Sequence, residues 1–168
     1  MISLKTPLSL EKIKNIKAGT QIFLSGTIFS MRDKAHKKMV EENFYPLNLK
    51  NQIIFYMGPS PTRPGHKSGS CGPTTSTRMD KWTPPFIKKT GIIGIIGKGE
   101  RCLKVKEAMK YKVIYLLAFG GLGALYAKCV KKSEVVLFKE FGCEAVYKLE
   151  VENMPLIVAQ DIKGESIL

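Results

Sequence analysis

The chain has 168 residues, of which 44% are hydrophobic and 24% are charged, which is the composition of a globular protein and not of a disordered or fibrous one. A chain of this length is expected to form a single domain over residues 1–168. Its net charge of +13 would suit nucleic-acid binding, but the basic residues are scattered and not interleaved with aromatic side chains, so we expect no nucleic-acid partner. No apolar run approaches the roughly 20 residues that cross a bilayer, and the N-terminus lacks a signal-peptide core, so we expect no membrane association and a cytoplasmic location.

The N-terminal part of the chain predicts two strands and two helical segments. Residues 1–4 fit a short edge strand, and residues 9–15 fit a capped helical turn. Residues 20–28 alternate between apolar and polar side chains, as a half-buried strand does, and residues 34–42 have helix-forming composition. A strand-to-helix turn is therefore predicted close to Arg32.

Arg32 has two interpretations at that predicted turn. In the first, its guanidinium reaches into a binding site and holds a carboxylate by two parallel hydrogen bonds. In the second, it is a surface arginine that pairs with Glu41 or Glu42. The nearby His36, and His66 further along the chain, have no ligand partner close in the sequence, and we assign a site role to neither.

The middle of the chain is its most distinctive stretch. It opens with β-branched and aromatic residues over 53–57, which predict a buried strand. The prolines and glycines of 58–72, called the central loop below, predict an ordered loop without regular structure. Proline suits the first turn of a helix and hydroxyls suit its cap, so residues 73–75 (Pro-Thr-Thr) predict the start of a helix that carries Arg78. Free N–H groups at a helix start would suit an anion.

A short amphipathic helix is predicted next, over residues 79–89. Pro84 and Pro85 lie within this segment, and proline removes a backbone hydrogen bond from a helix interior, so we expect them to break the helix. Trp82 is expected to pack in the core rather than to mark a site.

Lys98 follows a second apolar run. Residues 91–97 are apolar and spaced by glycines, which predicts a buried strand that allows close backbone approach and turns at residues 97–99. A Walker A phosphate loop requires G-x-x-x-x-G-K-[ST], and Ile92 and Gly99 stand at two of its fixed positions, so that motif is absent. Lys98 is then either a solvated turn residue or a lone cation in a site.

The remainder of the chain completes an α/β pattern. Residues 100–110 and 120–128 predict helices on either side of a strand over 111–118. A dinucleotide fingerprint is not supported, because Tyr126 stands where G-x-G-x-x-G requires glycine, and we expect these glycines to permit close packing. Short β-prone runs follow at 134–138, 145–151 and 156–160, with a turn at 153–155. Alternating strands and helices, with extra strands at both ends, predict an α/β domain with a mixed sheet.

The chain has four cysteines, Cys71, Cys102, Cys129 and Cys143, and no two have the C-x-x-C spacing of a metal knuckle or redox motif. We expect all four to be free thiols. An iron–sulfur cluster usually needs several cysteine ligands, and the chain does not present them in a recognisable pattern, so no metal or cofactor site is predicted in this chain.

A long gapped motif runs through and around the central loop. It consists of Arg32-Asp33-x-Ala35-His36, Gly58-Pro-Ser-Pro-Thr62, Pro64-Gly65, Gly72-Pro-Thr-Thr-Ser-x-Arg-Met-Asp80 and Ile96-Gly97-Lys98-Gly99. Through these residues the chain resembles the β subunit of the class I fumarate hydratase and tartrate dehydratase family, from about Leu4 to Asp161. In single-chain members of that family the same unit is the C-terminal domain. The resemblance implies a swivelling β/β/α-type fold.

The resemblance also implies an iron–sulfur hydro-lyase whose 4Fe-4S cluster is carried by a partner α subunit, in an α2β2 heterotetramer. Its site residues would be Arg32, Thr74, Arg78 and Lys98, which together would bind a small dicarboxylate. The resemblance further implies that Thr74 abstracts the proton. A threonine hydroxyl is a poor base unless its alkoxide is favoured, and Lys98, Arg78 and the N–H groups of the predicted helix start would favour it. Thr74 is alternatively only a helix cap or a hydrogen-bond donor to substrate. Three cations would neutralise and orient both carboxylates, which is much of what a hydro-lyase must do before the chemical step.

Three functions remain open from the sequence. The resemblance favours reversible dehydration of malate to fumarate, and removal of water from L(+)-tartrate is the alternative within the same family. A non-enzymatic basic module that binds an anionic partner is the more remote alternative. For either enzyme, the chain alone should be inactive, because the cluster and the acid that helps the hydroxyl leave are expected on the α subunit.

Overall fold

The computed structural model describes residues 2–168, so the first residue of the edge strand predicted over 1–4 lies outside the described residues. Within residues 2–168 the chain forms seven β-strands and five α-helices. The strands are β1 (Ile2–Lys5), β2 (Gln21–Ser30), β3 (Ile53–Phe55), β4 (Gly94–Gly97), β5 (Ile114–Leu117), β6 (Val130–Leu137) and β7 (Val146–Gln160). The helices are α1 (Leu10–Ile13), α2 (Asp33–Glu41), α3 (Thr83–Thr90), α4 (Leu103–Met109) and α5 (Gly123–Cys129), with 3₁₀ turns at Ser76–Met79 and Lys139–Glu144. None of the helices in this range is long and apolar enough to cross a membrane.

The seven described strands join one mixed sheet in the order β1-β2-β3-β4-β5-β7-β6. Strands β1 to β5 run parallel to their neighbours, whereas β7 is antiparallel to β2, β5 and β6. Because β2 pairs with both β3 and β7, and β7 also pairs with β5, backbone pairing closes into a ring of β2, β3, β4, β5 and β7. The predicted α/β domain with a mixed sheet is confirmed.

Alternate residues along the central strands pack into two hydrophobic cores, one on each face of the sheet. On one face, Ile54, Ile95 and Tyr115 belong to the core that helices α2, α3 and α4 cover. On the other face, Ile53 and Ile96 belong to the core that α1 and α5 complete. A strand covered on both faces is apolar at nearly every position, which explains why these strands read as unbroken apolar runs.

Two predictions about the helix after the central loop are wrong. Pro84 and Pro85 lie in the first turn of α3, where a missing N–H costs no helical hydrogen bond, so they begin the helix and do not break it. Trp82 is only half-buried and donates from Nε1 to Glu41 at 3.2 Å, so it lies at the surface and not in the core.

The C-terminal strands also differ from the prediction. The runs at 145–151 and 156–160 belong to the single strand β7, and residues 153–155 are not a turn. Asn153 has a φ of 49° and lies where the register between β2 and β7 shifts, so it forms a β-bulge that bends the strand without ending it.

Candidate functional site

The residues that the sequence singled out lie at one edge of the sheet, where the parallel strands β2 to β5 end. Arg32 comes two residues after β2, and Lys98 directly follows β4. The central loop leaves from the end of β3, and a glycine-rich turn leaves from the end of β5. α/β sheets bind ligands at the carboxyl ends of their parallel strands, so this edge is the candidate site.

Thr74 lies in an extended segment and not at the start of a helix. Its amide donates to the Tyr56 carbonyl at 2.7 Å, and the preceding Pro73 forms an antiparallel bridge with a residue just after β3. The helix that follows is a single 3₁₀ turn beginning at Ser76, and its cap residue is Thr75, whose side chain makes no cap hydrogen bond. The predicted helix start is therefore wrong, and Thr74 is not a helix cap.

Lys98 is held beside the threonines by backbone pairing. Thr75 and Lys98 are partners in a parallel bridge, and the Ser76 amide donates to the Lys98 carbonyl at 3.0 Å. The Lys98 side chain is half-buried and forms no ion pair within residues 2–168. The turn after β5 approaches it from the other side, since a Cβ built on Gly120 would lie 3.9 Å from Lys98 Nζ.

Arg78, like Lys98, forms no ion pair with an acidic residue in the described part of the chain. It lies in the 3₁₀ turn, its side chain is exposed, and its amide donates to the Thr75 carbonyl at 3.3 Å. The same short segment therefore carries Thr74, the bridge to Lys98, and Arg78. Cations that are not neutralised by their own chain favour an anionic ligand at this edge.

Strand β4, which ends one residue before Lys98, packs closely beneath the 3₁₀ turn. A Cβ on Gly97 would collide with Ser76 Oγ and would come within 3.3 Å of the Tyr56 ring. The close approach predicted for this glycine-spaced strand is therefore confirmed, and only glycine leaves room for it.

Arg32 is already engaged by acidic residues of the chain. Its Nη2 lies 3.1 Å from Glu144 Oε1, and its Nε lies 3.7 Å from Asp33 Oδ1. The alternative interpretation of Arg32, a pairing with Glu41 or Glu42, is wrong, because those two residues stand near the far end of α2, away from the turn that positions Arg32.

The hydrogen bonds around Arg32 are incomplete. Arg32 Nε, Asp33 Oδ1 and Glu144 Oε2 are buried without a hydrogen-bond partner among the described residues. The aliphatic part of the Arg32 side chain packs against the start of the central loop, where a Cβ on Gly58 would lie 2.9 Å from Arg32 Cδ. Arg32 Nε therefore retains donor capacity for a water or a ligand. Such a partner would be favoured, because an unsatisfied buried polar group costs about 1–3 kcal/mol.

His36 is a buried packing residue. Its ring lies 5.2 Å from the Tyr56 ring and 4.7 Å from the Phe86 ring, and Nδ1 donates to the Arg32 carbonyl at 3.0 Å. Burial, opposed in part by that hydrogen bond, lowers the pKa of His36 from 6.5 to about 4, so the ring is neutral near pH 7. His66 is exposed in the central loop.

A buried arginine that the sequence did not single out braces this edge from within the fold. Arg101 is 4% exposed, and it donates from Nε to Asp80 at 2.7 Å and from Nη2 to Thr83 at 2.8 Å. Its guanidinium lies over the Tyr56 and Tyr115 rings, 5.2 and 5.5 Å from their centroids. Burial alone would lower the pKa of Arg101, but Tyr56 and Asp80 raise it above its usual value, so the charge is retained.

Tyr115 connects Arg101 to the turn that carries Lys98. Its hydroxyl donates to the Gly99 carbonyl at 2.8 Å and accepts from Ser76 at 2.9 Å. Burial raises the pKa of Tyr115 to about 12, so the hydroxyl stays protonated. This role is not recognisable from the sequence, because a tyrosine within an apolar strand is normally a packing residue.

The donor set of this chain does not fit an iron–sulfur cluster. All four cysteines are free, with Cys71 and Cys129 buried and Cys102 and Cys143 exposed. Among residues 2–168, no three His, Cys, Asp or Glu side chains form a group that could hold a metal ion. Burial raises the pKa of the Cys71 thiol, whose sulfur contacts Ser68 and a backbone carbonyl, so the metal-binding thiolate is disfavoured there.

Similarity to known proteins covers the whole chain. The family described as Fumarase C-terminus matches residues 1–168. The putative L(+)-tartrate dehydratase subunit beta of Methanocaldococcus jannaschii is 41% identical over 95% of this chain and 87% of that protein. Fumarate hydratase 2 of Leishmania major is 37% identical over 99% of this chain, and the aerobic class I fumarate hydratase of Salmonella typhimurium is 36% identical over 97%. The matched stretch is 31% and 30% of those two proteins, so the chain spans about a third of their length.

Proposed function

We propose, since the chain belongs to the family described as Fumarase C-terminus, that it is a one-domain β subunit of an iron–sulfur-dependent hydro-lyase. The proposed reaction is the reversible dehydration of malate to fumarate. An α subunit would supply the rest of the site and carry the 4Fe-4S cluster, in a cytoplasmic α2β2 complex. The poor fit of this chain's own donor set to a cluster supports that division of labour.

The observation that carries the proposal is the backbone pairing that places Thr74, Arg78 and Lys98 at one edge of the sheet. A small dicarboxylate has two negative charges, and the edge offers two cations that no acidic residue within 2–168 neutralises. Arg32, two residues after β2, adds a third cation with unused donor capacity. The arrangement therefore suits a ligand with a carboxylate at each end.

These cations would also act in the chemical step. Dehydration of malate removes a proton from the carbon beside a carboxylate, and negative charge then builds on that carboxylate. Lys98 and Arg78 would stabilise the transition state more than the bound substrate, because the negative charge on that carboxylate is greater in the transition state. Arg32 would hold the substrate in register for proton removal.

Thr74 is the proposed base. A threonine hydroxyl is a poor base unless its alkoxide is favoured, and the neighbouring Lys98 and Arg78 would supply that bias. The amide bond to Tyr56 fixes the Thr74 backbone, so its hydroxyl is presented from a rigid segment. Its remaining alternative role is that of a hydrogen-bond donor to the substrate.

L(+)-tartrate dehydration is the second candidate. The observation that favours it is the relative named as a tartrate dehydratase subunit, which is 41% identical and has 87% of its length matched by this chain. Tartrate differs from malate by one additional hydroxyl, and a site with a hydrogen-bond partner for that hydroxyl discriminates strongly against the substrate that lacks it.

Anaerobic purification of the tagged chain from its native cell tests the proposal. The sample would be analysed for iron and assayed at once with malate, fumarate and tartrate. An iron-containing complex that interconverts malate and fumarate would support the proposal, and activity on tartrate alone would move it to the second candidate. A colourless chain without a partner, inert with all three, would overturn both and favour the basic binding module, whose signature is steep loss of DNA affinity with salt.

A further inference from the structure

A contiguous group of exposed apolar side chains lies next to the candidate site. Phe119, Leu122 and Leu125 are 42%, 39% and 42% exposed, and they come from the turn after β5 and from α5. Together with Pro155 and Ile157 of β7 they line a groove of about 330 Å³, called the α5 groove below. A single exposed apolar residue, such as Leu103 in α4, needs no explanation, but a contiguous group indicates an interaction surface.

The α5 groove is a preformed part of the fold. The Phe119 amide donates to the Tyr126 hydroxyl at 2.9 Å, which fixes the turn onto the helix. The helix is fixed to the central loop, because a Cβ on Gly123 would lie 3.0 Å from the Gly72 amide nitrogen, and the Cys71 amide donates to the Gly123 carbonyl at 3.0 Å. A partner that binds here therefore meets a surface that needs little ordering.

The groove is continuous with the candidate site. Gly120 stands in the same turn as Phe119 and Leu122, and it is the residue whose Cβ would lie 3.9 Å from Lys98 Nζ. One face of this turn therefore borders Lys98 while the other borders the groove. A protein seated in the groove would extend over Lys98 and cover the open side of the site.

The surface on the other side of α5 is basic. Arg63 and Lys67 of the central loop line a cavity of about 610 Å³ together with Lys128 and Lys131, and no acidic side chain is among its described lining residues. Lys131 forms an ion pair with Glu152 at 3.1 Å, and the other three cations form none within residues 2–168. A second copy of this chain, which also has a net charge of +13, would be repelled here. The surface suits instead a partner with an apolar centre flanked by acidic side chains.

We propose that the α5 groove is the surface on which the α subunit docks. This rests on the proposed function, and the occupant is the polypeptide that corresponds to the other two thirds of the longer relatives. The matched stretch is 31% of the Leishmania major protein, and the relative matched over 87% of its length is by name a subunit. Docking at this groove brings the α subunit's share of the site over Lys98.

The test uses the tagged chain co-produced anaerobically with the α subunit. Three forms are compared: wild type, the double variant Leu122→Asp/Leu125→Asp, and the control Leu103→Asp, whose leucine is 79% exposed in α4. Leu122 is the cap residue of α5, a position that favours aspartate, so Leu122→Asp alone provides a second variant that keeps the fold. Unchanged Tm values for both variants check that folding is preserved.

We expect the double variant to bind the α subunit at least about tenfold more weakly, while Leu103→Asp binds as wild type does. Undiminished co-purification of the α subunit with a folded double variant would overturn the docking proposal, and malate or tartrate turnover by that complex would leave the proposed function standing. If only the groove variants lose the α subunit and the wild-type complex converts neither diacid, the docking surface is supported and the proposed reaction is overturned. A wild-type chain that self-associates through the groove and binds no α subunit would also overturn the proposal.

Discussion

Thr75 and Lys98 form a parallel β-bridge that joins the segment after the central loop to the end of β4. The next amide along the chain, that of Ser76, donates to the Lys98 carbonyl at 3.0 Å. Because the pairing uses backbone atoms, it holds Thr74 and Lys98 in register whichever side chains stand at those positions. Substitutions of the Thr74 and Lys98 side chains therefore test the chemistry with little disturbance of the scaffold.

Thr74→Ala removes the proposed base and keeps the backbone hydrogen bond to Tyr56. We expect kcat of the complex with the α subunit to fall by about 10²-fold or more with little change in KM, because general-base catalysis is lost while binding groups remain. Thr74→Ser, which keeps a hydroxyl, should retain most activity, and Thr75→Ala is the matched control. Steady-state kinetics measure all three, and a near-normal kcat for Thr74→Ala would refute the base role.

Gly97→Ala should separate the 3₁₀ turn from Lys98. The added methyl group would collide with Ser76 Oγ beneath the turn, and overpacking of this kind typically costs about 1–3 kcal/mol. We expect a lower Tm for this variant together with reduced activity of the complex. The matched control is Gly72→Ala, because a Cβ at Gly72 would meet nothing within 4 Å. Equal Tm values for the two variants would contradict this close packing of Gly97 against Ser76.

Tyr115→Phe removes the hydroxyl that joins Ser76 to Gly99 and keeps the ring over Arg101. Two hydrogen bonds are lost and the buried Ser76 hydroxyl is left without its partner, so we expect a loss of about 1–3 kcal/mol in the free energy of unfolding. Activity should fall as well, because the turn that carries Lys98 loosens. Urea unfolding of the variant is compared with Tyr147→Phe, whose hydroxyl donates to a carbonyl in an exposed region. A smaller loss for Tyr115→Phe than for this control would argue against the bracing role.

His36 gives the fold a defined pH dependence. Its pKa is lowered from 6.5 to about 4 by burial, so the folded protein holds the ring neutral while the unfolded chain takes up a proton below pH 6.5. The contribution to stability is complete above pH 6.5 and is lost as the pH falls from 6.5 towards 4. The expected slope in that window is about 1.4 kcal/mol per pH unit.

His36→Phe keeps a ring beside Tyr56 and Phe86 and removes the titrating group. We expect the free energy of unfolding of this variant to vary less between pH 6.5 and 4 than that of wild type. Chemical denaturation at several pH values measures the difference, with substitution of the exposed His66 by Asn as control. Parallel pH profiles for wild type and His36→Phe would show that the buried ring does not titrate in this range.

The sequence predicted the elements whose patterns are local. The apolar runs that became β3, β4 and β5 are continuous because helices or loops cover both faces, and such runs are recognisable without a structure. The start of α3 was mispredicted because proline ends a helix at most positions but begins one in its first turn. The turn predicted near Asn153 was instead a bulge, since the pairing partner that keeps β7 extended is β2, far away in the chain.

The candidate site was predictable to the extent that its residues follow strands. Lys98 and the threonines are recognisable through their motif; Lys98 follows β4, and a backbone bridge from Thr75 to Lys98 brings the threonines to the same edge. Arg101 and Tyr115 could not be found in this way, because their role depends on partners that only the folded chain brings together. The pairing of Arg32 with Glu144 is of the same kind, since the two residues lie at opposite ends of the sequence.

The most direct test of the central claim is to purify the chain and its α subunit separately and without oxygen, and then to assay each alone and both together. We expect neither protein to convert malate or tartrate alone, and the mixture to become active in proportion to the complex formed. The mixture made with Lys98→Ala should assemble equally well and remain nearly inactive. Turnover by the isolated chain, or full activity with Lys98→Ala, would contradict a site shared between this edge of the sheet and the α subunit.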